Sequence, residues 1–336
     1  MKEYFERLPV WVEGEDPDYI QQLAEYVTAS DPNWFRLRFK KALVRAAACA
    51  LEVLDFNKQC LVLAGKQDDG KTSFLRYLCP LALRENYTEQ VEFGNKDGQI
   101  ALATNFIINI DELKGLERQE ITRLKAFFTT ASVKLRRPYD KKDSWAKRKA
   151  SFFASTNDRT FLTDETGNVR WLIFDISSVK HDNGGPNGYQ VIPIDRVWSQ
   201  ACALLKSGFE FRLTKPEIAM SEKINNANYS RTTVEIDLVQ EYLQPADRRE
   251  PGAEFMNTTN VMMYLQEKAP TMRNIHVLGV GKALTFLRFS EDSQRINGSP
   301  RKGYWVKKIE NGNATLLPDY KEAEPLKEKD LVVVPF

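Results

Sequence analysis

Apolar residues follow two rhythms along the chain. Over residues 35–56 they recur near helical spacing, with Leu43, Ala47, Ala50 and Leu54 on one stripe, which predicts a single helix. Over residues 59–176 short apolar runs alternate with amphipathic stretches. Residues 60–64, 106–111, 150–156 and 171–176 read as strands, and residues 73–78 read as a helix. That alternation predicts an α/β fold, a parallel sheet with helices packed on it. Residues 178–190 are a loop by composition, and helices are expected at about 192–207, 215–228 and 234–243. Residues 245–252 read as a linker. Beyond it, helices near 258–265 and 274–287 lead into a β-hairpin at 294–308, turning at Asn297-Gly298. Helix, helix, basic hairpin is a winged-helix pattern. Residues 311–329 are polar, and the chain ends in an apolar hexad, 331–336, able to dock as a strand.

Composition narrows the classes. The 336 residues are 42% hydrophobic and 28% charged, ordinary for a globular chain and enough for more than one domain. Net charge is +2, so any nucleic-acid surface must be local. Residues 1–31 sum to −6 but hold Trp11, Ile20, Leu23 and Val27, which predicts a packed segment and not a free acidic tail. Cys49, Cys60, Cys79 and Cys202 have no paired spacing, and with only His181 and His276 they make no recognisable zinc site. No apolar run reaches the roughly 18 residues of a membrane span, and the start is charged. A reducing, cytoplasmic setting is expected.

The sharpest motif is residues 65–72, GKQDDGKT, which matches GxxxxGK[ST]. An apolar strand precedes it and a helix follows, the order such a loop needs. Its backbone N–H groups would converge on phosphate oxygens. Gly65, Lys66, Gln67, Asp68, Asp69, Gly70, Lys71, Thr72 and Ser73 form the expected nucleotide cradle. Lys71 would reach the β- and γ-phosphates, and Thr72 would ligate Mg²⁺.

Such a loop needs a carboxylate on a neighbouring strand. Residues 106–112, FIINIDE, supply Asp111 for the metal side and Glu112 as candidate general base. The strand at 150–156 ends in Asn157, an amide able to position water against the γ-phosphate, although Asn after a strand is also common turn chemistry. Arg170, before the last strand, could stabilise transition-state charge in its own subunit or a neighbour's, but a surface arginine at a strand start reads the same way.

Residues 134–149, KLRRPYDKKDSWAKRK, carry +6. Pro138 and the turn residues after it suggest a projecting hairpin. Lys134, Arg136, Arg137, Lys141, Lys142, Lys147 and Arg148 would neutralise phosphates, and Tyr139 and Trp145 could stack on bases. A plain solvated loop is the competing reading. In the C-terminal hairpin, Arg301 and Lys302 are the corresponding expectation for DNA; a protein-contact winged helix is the alternative.

In this order, GKQDDGKT, IINIDEL, KLRRPYDKK, FFASTND and FLTDETGNVRW resemble the virulence-associated protein E family of P-loop ATPases. That family occurs on phages and mobile elements and is related to superfamily 3 helicases of the AAA+ class. The resemblance covers residues 1–176 well and 255–308 loosely. It implies ATP and Mg²⁺ as ligands, Asn157 as the sensor residue and the RRPY segment as part of a DNA-contacting hairpin. It also implies Arg170 as a trans-acting arginine of a ring, with a hexamer as the expected assembly. Where the family often reads TGxRR, this chain has Thr166-Gly-Asn-Val-Arg170, which leaves Arg159 as the alternative finger. The organisation expected is a helical region 1–57, an ATPase core 58–177, a helical extension 178–245, a winged-helix-like domain 255–308 and a tail 309–336.

The function expected first is a DNA-dependent ATPase that translocates on or unwinds single-stranded or forked DNA in mobile-element replication, with a separate primase as a candidate partner. An ATP-gated DNA-binding switch or defence-type signalling ATPase is the second reading. A P-loop kinase is the third.

Overall fold

The structure, a computed structural model, describes residues 1–111, 113, 118–135, 144–158, 161–162, 168–229, 233–272, 274–287, 289–296 and 299–309. It divides into two compact units, Met1–Arg231 and Thr232–Phe336.

In the first unit the strands are β1 (Val27–Ala29), β2 (Cys60–Ala64), β3 (Tyr87–Thr88), β4 (Ile107–Ile110), β5 (Ser132–Leu135), β6 (Ser144–Lys147), β7 (Ser151–Thr156) and β8 (Trp171–Val179). The helices are α1 (Lys2–Glu6), α2 (Tyr19–Ala24), α3 (Pro32–Ala50), α4 (Lys71–Tyr77), α5 (Lys96–Thr104), α6 (Arg118–Thr129), α7 (Ile194–Lys206) and α8 (Lys215–Asn228). Six strands form one sheet in the order β1-β8-β2-β7-β4-β3. Every pairing is parallel except β1 with β8. The result is a mixed α/β layer structure with a mostly parallel central sheet.

The central strands read as unbroken apolar runs because both faces are covered. Leu61, Leu63, Phe153, Leu172 and Phe174 face a core that includes Phe35, Phe39 and Leu43 of α3 and Trp198 of α7. Val62, Phe152, Ala154, Trp171 and Ile173 face the other, with Leu124, Phe127 and Phe128 of α6. Residues 1–31 pack into the first core through Phe5, Ile20 and Leu23.

Helix α3 starts at Pro32, three residues before the span that periodicity predicts. Asp31 caps it by accepting from the Trp34 N–H at 2.9 Å, and Pro32 opens its first turn. It stops at Ala50, shorter than the span to residue 56 that periodicity predicts. Glu52 adopts a left-handed backbone (φ +61°), and the N–H groups of Val53 and Leu54 both return to the Ala48 carbonyl. The turn aims the chain into β2.

Helix α8 is tied to α3 by ions. Glu217 sits in the capping box of α8 with Thr214, and it also accepts from Lys41 at 2.9 Å and pairs with Arg38 at 3.2 Å. Burial pushes the Glu217 carboxyl up, but the Thr214 N–H, Lys41 and Arg38 outweigh it and hold it below the usual range.

The second unit contains α9 (Val234–Tyr242), β9 (Leu243–Pro245), β10 (Glu254–Met256), α10 (Thr258–Lys268), α11 (Val277–Phe286), β11 (Glu291–Ile296) and β12 (Ser299–Lys308). β12 pairs antiparallel with β11, β10 and β9. Here the structure corrects the expected boundary at residue 245. α9 and β9 belong with the C-terminal unit, because Ile236, Leu238, Val239 and Leu243 share a core with Val261, Leu265, Val280, Leu284 and Val306. Residues 245–252 join two strands of one sheet and are not an interdomain linker. Asn297 and Gly298 and the tail from residue 310 lie outside the described residues. Among the described residues no helix is long and apolar enough to cross a membrane.

Candidate functional site

Three neighbouring parallel strands, β2, β7 and β4, end on the same edge of the sheet, and the loop of residues 65–70 leaves from the first of them. Ligands in open α/β sheets bind at that edge. The Gly65 N–H continues the pairing by donating to the Thr156 carbonyl at 3.1 Å. Only glycine fits there: a Cβ would stand 2.6 Å from the Ile176 carbonyl oxygen. The loop then turns through left-handed Asp68 (φ +66°) and Gly70 (φ +81°), pinned by the Val179 N–H donating to the Asp69 carbonyl at 2.9 Å.

Lys71 is 5% exposed. Its ammonium folds back onto the loop, donating to the Gly65 carbonyl at 3.0 Å and to the Lys66 carbonyl. Burial lowers its pKa, and the carboxylates of Asp69, Asp111 and Asp68 offset that only in part. Next to it, the Thr72 hydroxyl donates to Asp111 Oδ1 at 2.8 Å.

Ser155 completes the cluster. Its hydroxyl donates to the same Asp111 oxygen at 2.7 Å and lies 3.3 Å from Thr72 Oγ1. Sequence reading missed it, yet a signal was present. Ser155 is two residues before Asn157, so an extended strand puts both on one face. A cavity of about 250 Å³ opens here, walled by the loop together with Asp111, Ser155 and Asn157.

The donor set is hydroxyl and carboxylate oxygen, which suits a hard divalent cation such as Mg²⁺. The Asp69 Oδ2 atom is buried without a hydrogen-bond partner, a polar group the loop itself leaves unanswered. Lys71 faces the same space, so cation and anion sites adjoin. The structure thus brings together Lys71, Thr72, Asp111 and Asn157. Glu112 lies outside the described residues.

Arg170 is not among them. It precedes β8, whose Trp171 pairs with Cys60 at the start of β2, while Asp175 pairs with Ala64 at its end. Arg170 therefore sits at the opposite edge of the sheet, five residues of strand, about 16 Å, from the loop. It cannot serve the site of its own chain. Arg159 lies outside the described residues.

At the ends of the basic segment β5 and β6 pair antiparallel, with Lys134 opposite Trp145. Trp145 is 71% exposed, and Lys134 and Lys147 are exposed too. Arg136, Arg137, Tyr139, Lys141 and Lys142 lie outside the described residues. Arg148, expected on DNA, is a correction: it is fully buried. Its guanidinium donates to the carbonyls of Ala150, Phe128 and Asn57 at 2.8 Å each and of Phe127 at 3.0 Å, closing the end of α6. Burial pushes its pKa down to about 10, so it stays charged at neutral pH inside a shell of carbonyl dipoles. It cannot reach a phosphate without unfolding.

In the second unit, Arg301 and Lys302 lie on β12 and are exposed. Lys302 pairs with Glu291 across the hairpin at 2.9 Å. Lys308 pairs with Glu254 at 2.7 Å. Acids on adjacent strands thus pair with Lys302 and Lys308.

Comparison with known proteins follows the same outline. Apo structures of the NrS-1 C terminal region, one spanning residues 305–718 and another in an A form, match with a TM-score of 0.50. They cover 90% of this chain and 78% of theirs at 13% and 14% identity, so the likeness is one of fold. A comparison with the curated proteins finds no match. The family model of the virulence-associated protein E-like domain matches residues 10–230, which is nearly the whole first unit, loop and cluster included. The chain belongs to the virulence-associated protein E-like domain family.

Proposed function

We propose that the chain is an ATP-hydrolysing, DNA-directed motor of helicase type that acts in the replication of a phage or mobile element. The observation that carries this reading is the convergence of Lys71, Thr72, Asp111, Ser155 and Asn157 on one cavity. β7 stands between the loop strand β2 and the carboxylate strand β4. Its polar end therefore lies between the two, as the sensor strand does in the AAA+ class that the sequence resembles.

In this reading residues 65–73 cradle the triphosphate of ATP, and Lys71 holds its outer oxygens. Thr72 and Asp111 would hold Mg²⁺, whose charge supplies neutralisation of the β- and γ-phosphate oxygens. Ser155 fixes the Asp111 carboxylate. Asn157 orients the attacking water and Glu112 takes its proton, as the P–O bond to water forms and the bond to the leaving diphosphate breaks. Arg170, at the far edge of the sheet, serves the site of a neighbouring copy in a ring.

The hairpin of β5 and β6 is the DNA element, with exposed Trp145 as a stacking surface. In the C-terminal unit, the order α9, β9, β10, α10, α11, β11, β12 supports a winged-helix module. One observation favours a protein partner for that module: Val277 and Leu278 stand 40% and 75% exposed at the start of α11, where a DNA reader would carry polar groups.

Phosphate release measured with and without single-stranded DNA tests the motor. DNA raises turnover severalfold, and Glu112→Gln lowers it about 100-fold or more. Hydrolysis indifferent to DNA would sink the motor reading. Replacing Lys134, Arg136, Arg137, Lys141, Lys142 and Lys147 by glutamine weakens DNA binding. On single strands the slope of log K against log salt becomes shallower by about 0.7 for each phosphate that the variant no longer neutralises. An unchanged slope would reduce this segment to a solvated hairpin.

A further inference from the structure

A second cavity, of about 390 Å³, adjoins the phosphate side. The two share Asp68, Gly70 and Ser73 as a common wall. Asp111, Ser155 and Asn157 line only the first; His181, Asn183 and Gln190 line only the second. Motif polarity says which end of a nucleotide enters. The lysine of such a loop reaches the outer phosphates, and backbone N–H groups cradle the inner ones. The organic end therefore leaves past Ser73, where the second cavity opens. A third cavity, of about 460 Å³, lies beside Asn157, Gly65 and Lys66, on the outer-phosphate side. It is at the wrong end for a nucleoside.

The wall of the second cavity is a built one. Asp182, Asn183 and Gly184 run through three successive left-handed conformations (φ +43°, +44° and +88°). The Asp182 carboxylate accepts the Asn187 N–H at 2.9 Å, and the Tyr189 N–H donates to the Lys180 carbonyl at 3.0 Å. At Gly188 a Cβ would fall 2.1 Å from the His181 carbonyl oxygen, so the loop closes only around glycine. The Tyr189 ring packs edge-on to Phe74 of α4, with centroids 5.3 Å apart. The wall is thus anchored to the helix that follows the loop. His181 is half-buried and packs against Gly70, and the amides of Asn183 and Gln190 are exposed beside it.

We infer that this cavity is the nucleoside subsite, taking the purine and ribose of the triphosphate, with His181 as the stacking face and Asn183 and Gln190 as the edge-reading groups. A flat imidazole offers stacking, and a side-chain amide offers the donor and acceptor pair that matches a purine edge. At about 390 Å³ the space is within the size range of small-molecule sites, about 300–1,000 Å³. The inference rests on the phosphate-loop reading above.

Equilibrium binding of ATP and of inorganic tripolyphosphate, each with Mg²⁺, separates the two. The wild-type chain binds both, ATP more tightly. His181→Ala weakens ATP about tenfold and leaves tripolyphosphate unchanged, while His181→Phe restores most of the ATP affinity. Equal effects on both ligands, or none on either, overturn the nucleoside subsite and leave the phosphate loop standing. A wild-type chain that binds neither ligand overturns the phosphate loop and the subsite with it.

Discussion

Lys71→Ala lowers ATP turnover by about 10²–10³-fold or more, to the background of a phosphate-release assay, while the protein stays folded. In the structure its ammonium rests on the Gly65 and Lys66 carbonyls. These are weak partners beside a triphosphate, so the charge transfers to the ligand when one enters. A preorganised cation aimed at phosphate oxygens in a partly dry site is worth several kcal/mol in the transition state, because little solvent has to reorganise. The loop keeps its shape without it: Gly65 pairs with Thr156 and Asp69 with Val179 through backbone atoms alone. The thermal midpoint of the variant therefore stays close to that of the wild type. Wild-type turnover in Lys71→Ala would refute the site.

Arg148→Ala lowers stability by about 3–5 kcal/mol, read as a drop in the denaturant midpoint at constant slope. Removing the guanidinium takes a buried donor from the carbonyls of Ala150, Phe127, Phe128 and Asn57; Phe127 keeps the Thr130 N–H and Ala150 keeps the Cys49 thiol. It also opens a cavity against Phe152, over whose ring the guanidinium sits at 5.0 Å. Each unanswered buried acceptor costs about 1–3 kcal/mol before relaxation. The neighbouring Lys147→Ala is the control. That residue is exposed, and its loss changes stability by no more than about 0.5 kcal/mol. DNA binding sorts the pair the other way. At a temperature where both are folded, Lys147→Ala makes the salt dependence shallower and Arg148→Ala leaves it alone. A normal denaturant midpoint for Arg148→Ala would show that the carbonyl shell is not what holds α6 in place.

The two residues illustrate different kinds of legibility. Lys71 was readable because its chemistry is local. A strand, a turn of fixed length and a helix fix where Lys71 and Thr72 stand relative to Gly65, whatever the rest of the chain does. Arg148 was not readable, because its neighbours Lys147 and Lys149 share its charge and only one of the three is buried. The carbonyls that hold it come from residues 57, 127, 128 and 150, brought together by the packing of α6 against β7. Counting charge along residues 134–149 therefore overstates the cationic surface.

The site shows the same division. Asp111 and Asn157 were legible as polar ends of apolar strands. Ser155 carried a period-two signal beside Asn157, but only the register of β7 between β2 and β4 sets its hydroxyl on Asp111. Arg170 was visible as a cation before a strand, and the parallel register of β8 with β2 removes it from the site of its own chain. The 178–190 segment read as a loop, but Ser178 and Val179 extend β8, and the closed shape of the rest depends on contacts from Tyr189 to α4.

By itself the sequence determined the strands of the core and the turn at residues 65–72, which follow from spacing along a few consecutive residues, and the α/β class and the family, which follow from the order of those pieces along the chain. Tertiary structure alone decided which cations are buried, which hydroxyl braces the carboxylate, where the second unit begins and which cavity adjoins the inner end of the loop. Those outcomes depend on pairs of residues far apart in the chain, and the free energy that selects them comes from burial and hydrogen-bond satisfaction. Neither exists until the sheet has assembled.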